Sequence, residues 1–317
     1  MARSKFFFHL LALAVVAVWG VTFVCTKVLI AAGLRPAEIF ALRFALAYLG
    51  IWGLSLSQGG RPRLRSRNWQ DEAMFVFLGI TGGSFYFLTE NTALAYTQAS
   101  NTSFLVCSAP LLTALLILLY RSLRQDRFAA AMEDIRPGFP LVGGTLLAFG
   151  GMALMLFDGA RVQVSLRGDL FALGAALCWA FYSLFMGKMT DEYGAVFATR
   201  KVFFYGLLTI LPFLQGRDPA SLRAVLLQPQ VALNLLFLGL VASLACFVAW
   251  NLVMSKLGNI TATNYVYLNP VFTLVSAMIL LGERLTWAGA AGSALILAGI
   301  ILAGQKTDAI FCRKGAK

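Results

Sequence analysis

Displacing the chain against itself by 160 residues lays Pro270 over Pro110, Thr273 over Thr113, Asn251 over Asn91 and Trp179 over Trp19. One displacement that aligns four separate stretches marks a duplication, so any fold for this chain must build one unit twice. Each copy holds a long apolar run with a proline inside it, preceded by a short polar segment, QASNTS in the first and GNITAT in the second. Proline lacks a backbone donor and crowds the preceding turn, so both runs are expected to bend there. Pro110 and Pro270 are accordingly the expected hinges.

The displacement falls to 148 near the end of each copy, where Gly144 and Gly151 match Gly292 and Gly299. The difference is an insertion over residues 121–138, RSLRQDRFAAAMEDIRPG, in which Phe128, Met132 and Ile135 share one helical face before Pro137 and Gly138. A short amphipathic helix on the inner leaflet and a plain loop both fit that pattern.

Apolar runs occupy residues 6–30, 37–56, 72–94, 98–120, 139–157, 168–187, 197–214, 231–254, 260–281 and 286–304. A helix of roughly 20 such residues crosses the hydrocarbon core of a bilayer. With 59% hydrophobic and only 13% charged residues, the chain has more apolar side chains than a soluble core uses. The expected fold class is an all-α integral membrane protein with ten transmembrane helices. Five runs per copy is an odd number, so the second copy enters the membrane from the opposite face. The expected units are therefore an inverted pair, residues 1–158 and 159–305, followed by a basic cytoplasmic tail at 306–317. Inverted repeats of this kind mark secondary transporters, which hold substrate near the midplane and rock one bundle against the other.

Orientation follows from the basic residues. With the amino terminus inside, eighteen Lys and Arg fall on the cytoplasmic side, including Arg200 and Lys201, against six outside, with Lys27 and Arg43 left within helices. Both termini are thus expected in the cytoplasm, and the protein in the inner membrane. The net charge of +12 is then a matter of topology, and the segment GGRPRLRSRNW calls for no nucleic acid. The first run follows Arg3 and Lys5 as a signal peptide would, but the match of Trp19 to Trp179 favours a retained helix.

Five scattered cysteines and the single histidine, His9, offer neither a disulfide framework nor a metal cluster. No HExxH or GxSxG motif is present, so an enzyme is not expected, and neither is a cofactor. A channel would need a continuous polar lining that these runs lack. The expected partners are a small-molecule substrate and the lipid bilayer, with the protein a monomer or homodimer.

Helical spacing groups the side chains that can meet a solute. Trp19, Thr22, Phe23 and Thr26 share a face of the first run, and Trp179, Tyr182, Ser183 and Met186 repeat it in the sixth. The fourth run offers Asn101, Phe104 and Ser108, the ninth Thr261, Tyr265 and Asn269, the third Tyr86 and Glu90, the eighth Ser243, Phe247, Trp250 and Asn251. From these faces, with Arg43 of the second run, the candidate substrate contacts are Trp19, Phe23, Arg43, Tyr86, Glu90, Asn101, Trp179, Tyr182, Trp250, Tyr265 and Asn269. Charges within the membrane are costly and rarely face lipid. Lys27 can snorkel from its helix end. Glu90 has two readings, a proton-coupling carboxylate or an ion-pair partner of Arg43 or Lys27. Asn101 and Asn259 open N-T-S and N-I-T but sit against helix starts, and are read as caps.

The segments AVWGVTFVCTKVLI, PAEIFALRF, ALAYTQASNTSFLVCSAPLLTALL and NPVFTLVSAMILLGERLTWAGAAGSALILAGIILAG resemble the EamA-type drug/metabolite transporter superfamily, over about residues 10–304. The resemblance implies ten-helix carriers of two inverted five-helix repeats that export or exchange small organic solutes, including amino acids, nucleobases and drugs. Its GE pair falls on Gly282 and Glu283, read as a helix-fixing turn, while Ser122 and Leu123 stand at the matching place in the first copy. Aromatic faces with few internal charges suit amino acids, aromatic or hydrophobic ones preferred, moved by alternating access. Sugar phosphates would call for denser basic residues. The alternative is a proton-coupled multidrug or nucleobase efflux carrier.

Overall fold

The computed structural model describes residues 2–57, 64–97, 99–131, 139–156, 165–281 and 287–303, all of them helix or short connection, without a strand. The first half opens with α1 (Ala2–Ala31) and α2 (Pro36–Ser57), joined by a turn in which Gly33 adopts φ 98°. Next, α3 (Trp69–Gly79) passes through a π-helical stretch, Ile80–Ser84, into α4 (Phe85–Tyr96). Then come α5 (Ala99–Val106), α6 (Ala109–Leu123), the short α7 (Arg127–Ala131) and α8 (Phe139–Leu156). The second half runs α9 (Leu166–Tyr193), α10 (Ala195–Ile210) and the surface helix α11 (Pro219–Leu226). In it α12 (Pro229–Leu236) continues through a second π-helical stretch, Phe237–Ala245, into α13 (Cys246–Leu257). Last are α14 (Asn259–Asn264), a 3-10 segment Tyr265–Leu268, α15 (Asn269–Leu281) and α16 (Trp287–Ala303).

Six rods are long and apolar enough to cross a membrane, and shorter apolar helices such as Ala109–Leu123 accompany them. Their outward faces carry exposed leucines and phenylalanines, among them Leu49, Leu115, Leu146 and Phe204. In water such a surface would aggregate, whereas hydrocarbon solvates it. The chain is an all-α, multi-pass membrane protein.

Where the rods cross, glycine lets backbones approach. A Cβ on Gly79 would meet Tyr205 and the Gly206 amide of α10, and one on Gly239 would meet Leu46 and the Arg43 carbonyl of α2. Gly79 and Gly239 are one displacement of 160 apart, and each lies at or beside a π-helical stretch. In the same way Gly151 of α8 abuts the Gly292 carbonyl of α16, and Gly299 abuts that of Gly144. This reciprocal seam joins the last helix of each half.

Several local expectations need correction. Pro110 and Pro270 do not bend a continuous helix; each is the second residue of a new one, α6 or α15. The preceding helix has already ended, at the turn Cys107–Ser108 in one case and in the 3-10 segment Tyr265–Leu268 in the other. At a first turn the missing donor costs nothing, because that N–H would have no acceptor in the helix. Asn259 is not a cap: Gly258, at φ 87°, precedes α14, and the Asn259 amide donates across to the Leu184 carbonyl at 3.2 Å. Asn101 is the third residue of α5 rather than its cap. In the insertion, Asp126 accepts from the Phe128 and Ala129 amides and starts α7, while the Phe128 ring packs edge-on against Phe185 of α9 at 5.4 Å. The Phe128 ring thus turns to protein; Met132 and Ile135 lie outside the described residues, as do Gly282, Glu283 and the tail.

Ion pairs gather at the two ends. Where α3 starts and α9 finishes, Asp71 accepts from Arg127 and from the Tyr193 hydroxyl, Arg127 also reaches Glu192 at 3.3 Å, and Glu72 pairs with Lys201 at 2.5 Å and accepts from Tyr205. Arg200 and Lys201, placed on the cytoplasmic side by the basic-residue count, are buried within α10 at this same end, where Arg200 stands over the Trp52 ring at 4.8 Å. At the opposite end Glu38 holds Arg35 at 2.7 Å and Arg217 at 3.7 Å, and Arg217 donates to the Gly33 carbonyl.

Candidate substrate pocket

Four aromatic rings form a plug in the middle of the bundle. Trp19 meets Trp179 edge-on at 5.4 Å, Trp250 at 5.0 Å and Phe247 at 5.7 Å. These rings come from α1, α9 and α13, so residues far apart in sequence meet because both halves direct a tryptophan face to the centre. Such ring pairs contribute ~0.5–1.5 kcal/mol each beyond their burial. The Trp19 indole N–H donates to the Ala242 carbonyl at 3.0 Å, in the second π-helical stretch. A π turn leaves carbonyls out of register with the α-helical ladder, and here one of them receives a side chain from the other half.

Against this plug lies a partly open pocket. Of the residues expected to touch substrate, Trp19, Phe23, Arg43, Tyr86, Glu90, Trp179 and Asn269 line it. Tyr182 and Trp250 are fully buried behind the wall. The Tyr182 hydroxyl donates to Asn251 Oδ1 at 2.5 Å, and the Asn251 amide donates to Thr199 Oγ1 at 2.7 Å. Tyr265 lies apart from the pocket, its hydroxyl 2.8 Å from His9 Nδ1. The Asn101 side chain lies outside the described residues. Spacing along one helix gives a face but not a depth, which is why Tyr182 and Trp250 were grouped with the lining.

Phe87, Val106 and Val266 also line the pocket and escaped a search for polar and aromatic helix faces. The signal that finds them is the displacement itself. Phe87 pairs with Phe247, Val106 with Val266 and Trp19 with Trp179, and all six line the one pocket.

The charges set its chemistry. Arg43 is buried in α2; its Nε donates to Ser243 Oγ at 2.8 Å, and its guanidinium stands over the rings of Phe87 at 4.6 Å and Phe44 at 5.4 Å. Its Nη1 has no partner. Glu90 accepts a hydrogen bond from the Tyr86 hydroxyl one helical turn away. It forms no ion pair with Arg43 or Lys27, so the pairing expected as one of its two readings is absent. Lys27 does not snorkel free either: its ammonium donates to the Thr97 carbonyl at 2.7 Å, beyond the end of α4. Leaving a buried donor unsatisfied costs ~1–3 kcal/mol, more when it is charged. Trp179 Nε1 and Asn269 Oδ1 on the same walls are likewise without partners. The pocket thus holds one cation, one carboxylate, a neutral donor and a neutral acceptor, each still able to bind a guest. No three His, Cys, Asp or Glu among the described residues cluster as a metal site.

Known proteins were compared with this chain. The profile of the EamA-like transporter family matches residues 6–124 and again 166–305. A Salmonella typhimurium protein named a probable amino-acid metabolite efflux pump is 27% identical, with 92% of this chain and 93% of that protein covered. A Streptantibioticus cattleyicolor protein named a probable terminal-alkyne amino-acid exporter is 26% identical over 84% of this chain and 88% of its own. A crystal structure superposes with a TM-score of 0.65 at 19% identity, covering 95% of this chain and 96% of the other, which speaks to the fold alone.

Proposed function

The chain belongs to the EamA-like transporter family, and from that premise we propose that it is an alternating-access carrier for small zwitterionic metabolites of the amino-acid class. The observation that carries this reading is the pair Arg43 and Glu90, opposite charges on the walls of one aromatic pocket and not spent on each other. A zwitterion supplies a carboxylate for the first and an ammonium for the second, while its side chain lies among Trp19, Trp179 and Phe247. Burial of opposite charges in one pocket discriminates against plain amines and plain acids, each of which leaves one wall charge unanswered.

Further features support the mechanism. The family profile matches two stretches, each holding one member of every pair related by the displacement of 160. A pocket between two such units, with separate ion-pair clusters at its two ends, fits a carrier that opens to one side at a time by movement at the breaks before Pro110 and Pro270. The names of the relatives support export or exchange of amino acids, and the positive-inside count supports both termini in the cytoplasm.

The test is counterflow in liposomes that contain the purified protein. Preloaded unlabelled phenylalanine, tyrosine or leucine should drive transient accumulation of the labelled amino acid above equilibrium; flux that never saturates, or no flux with any amino acid, refutes the reading. Glu90, whose neighbour is a tyrosine rather than a cation, also favours a second reading, proton-coupled efflux. That reading requires an imposed pH gradient to drive net flux through the wild type and Glu90→Gln to lose this drive while keeping counterflow.

A further inference from the structure

We propose that Arg43 is the carboxylate anchor of the pocket and Ser243 its positioning residue, so that substrate binds in one orientation, carboxylate toward α2 and the second π-helical stretch, ammonium toward Tyr86 and Glu90. The proposal rests on the amino-acid reading above and gives it a direction.

The guanidinium is oriented on two sides. Ser243 Oγ takes Nε at 2.8 Å, and the faces of Phe87 and Phe44 lie 4.6 Å and 5.4 Å from its carbon. Ring faces stabilise a cation without neutralising it. With Nε occupied, the edge that carries the unpartnered Nη1 is left for a guest. Two parallel N–H groups on a guanidinium edge match the two oxygens of a carboxylate. One such edge beside a carboxylate, Glu90, suits a single negative charge; a phosphate dianion would meet repulsion and too few donors. Ser243 belongs to the second copy, and its counterpart under the displacement is Gly83, which has no side chain to offer. The counterpart of Arg43 is Phe203. The pocket therefore has a single anchor, and the two orientations of a substrate are not equivalent.

The experiment measures half-saturation and maximal rate of phenylalanine counterflow in liposomes, together with competition by phenethylamine and 3-phenylpropanoate, for the wild type, Arg43→Gln, Ser243→Ala and Ser243→Thr. We expect Arg43→Gln to raise half-saturation for phenylalanine by about 100-fold. Ser243→Ala should raise it by about tenfold at unchanged maximal rate, and Ser243→Thr, which keeps the hydroxyl, should restore it. Competition by phenethylamine should not weaken in any variant, and should strengthen in Arg43→Gln, which removes the charge an amine leaves unanswered, whereas that by 3-phenylpropanoate should weaken as phenylalanine does. Equal weakening of the amine and the acids, or a fall in maximal rate alone for Ser243→Ala, overturns the proposal and leaves Arg43 a structural residue. A misfolded Arg43→Gln protein leaves the decision to the two Ser243 variants. If the amino-acid reading alone fails, phenylalanine gives no counterflow, yet 3-phenylpropanoate raises the melting temperature of the wild type and not of Ser243→Ala; no such shift removes the anchor as well.

Discussion

The two halves share several backbone features and differ in their chemistry. Both place a π-helical stretch at matching positions, Ile80–Ser84 and Phe237–Ala245, both set a glycine against the other half's helix, at Gly79 and Gly239, and both break the chain just before a proline. The side chains part company at the pocket. Arg43, Glu90 and Tyr86 of the first half stand opposite Phe203, Trp250 and Cys246 of the second. Even the conserved tryptophans differ: Trp19 gives its N–H to the Ala242 carbonyl, whereas Trp179 keeps its own unpaired on the pocket wall. On the proposed carrier reading, the difference means that geometry for movement is supplied twice and recognition once. Motion between two similar bundles needs matched backbones, but an asymmetric solute needs unlike walls.

Making the halves alike should be most damaging at the charge. Arg43→Phe copies Phe203 into the first half, and phenylalanine counterflow should fall more than 100-fold, on the order of the cost of removing a buried charged contact, while monodispersity in detergent is retained. Counterflow that survives would mean that recognition is not confined to one half. A middle-sized effect is expected from the crossings. A methyl at Gly79 would meet Tyr205 Cβ at 2.5 Å and one at Gly239 would meet Leu46 Cβ at 2.8 Å, so Gly79→Ala and Gly239→Ala should each cost ~1–3 kcal/mol of stability from overpacking. Thermal denaturation in detergent checks this, and a loss at only one site would break the equivalence of the two backbones.

Smaller effects sharpen the contrast. Asn251 bonds to both Tyr182 and Thr199, whereas its counterpart Asn91 donates to the Pro36 carbonyl. Asn251→Leu should therefore cost about 1 kcal/mol more stability than Asn91→Leu, on the scale of buried membrane hydrogen bonds, and lower the melting temperature further; equal shifts would contradict it. Smallest in stability is Pro270→Ala, since a proline in the first turn of a helix is replaceable at little cost. Its effect should appear in rate, a severalfold slower counterflow at unchanged half-saturation, and a matching loss of affinity would argue against movement at that break.

The duplication, the helical class and the extent of most rods were legible because apolar runs of bilayer length have few other solutions. Most of the pocket was legible too, through helix faces that carry Trp19, Trp179, Tyr86 and Glu90. Phe87, Val106 and Val266 were not, because nothing in an apolar side chain distinguishes a pocket wall from a helix contact except its partner under the displacement. The prolines illustrate another boundary. Sequence shows that a donor is missing at Pro110 and Pro270, but bend or break depends on whether the preceding carbonyls find donors, a matter of neighbours brought together by folding. Asn259 was read as a cap because its local sequence allows it; the left-handed Gly258 took that place and freed the amide to reach α9.

The glycine seam between α8 and α16 bears on how the chain is made. Gly144 and Gly151 emerge from the ribosome 148 residues ahead of Gly292 and Gly299, the surfaces they are shaped to meet. Throughout that interval the glycine face of α8 is without its partner, and this seam closes only when α16 arrives. A nascent chain that stops short of Trp287 therefore leaves the glycine groove of α8 unfilled.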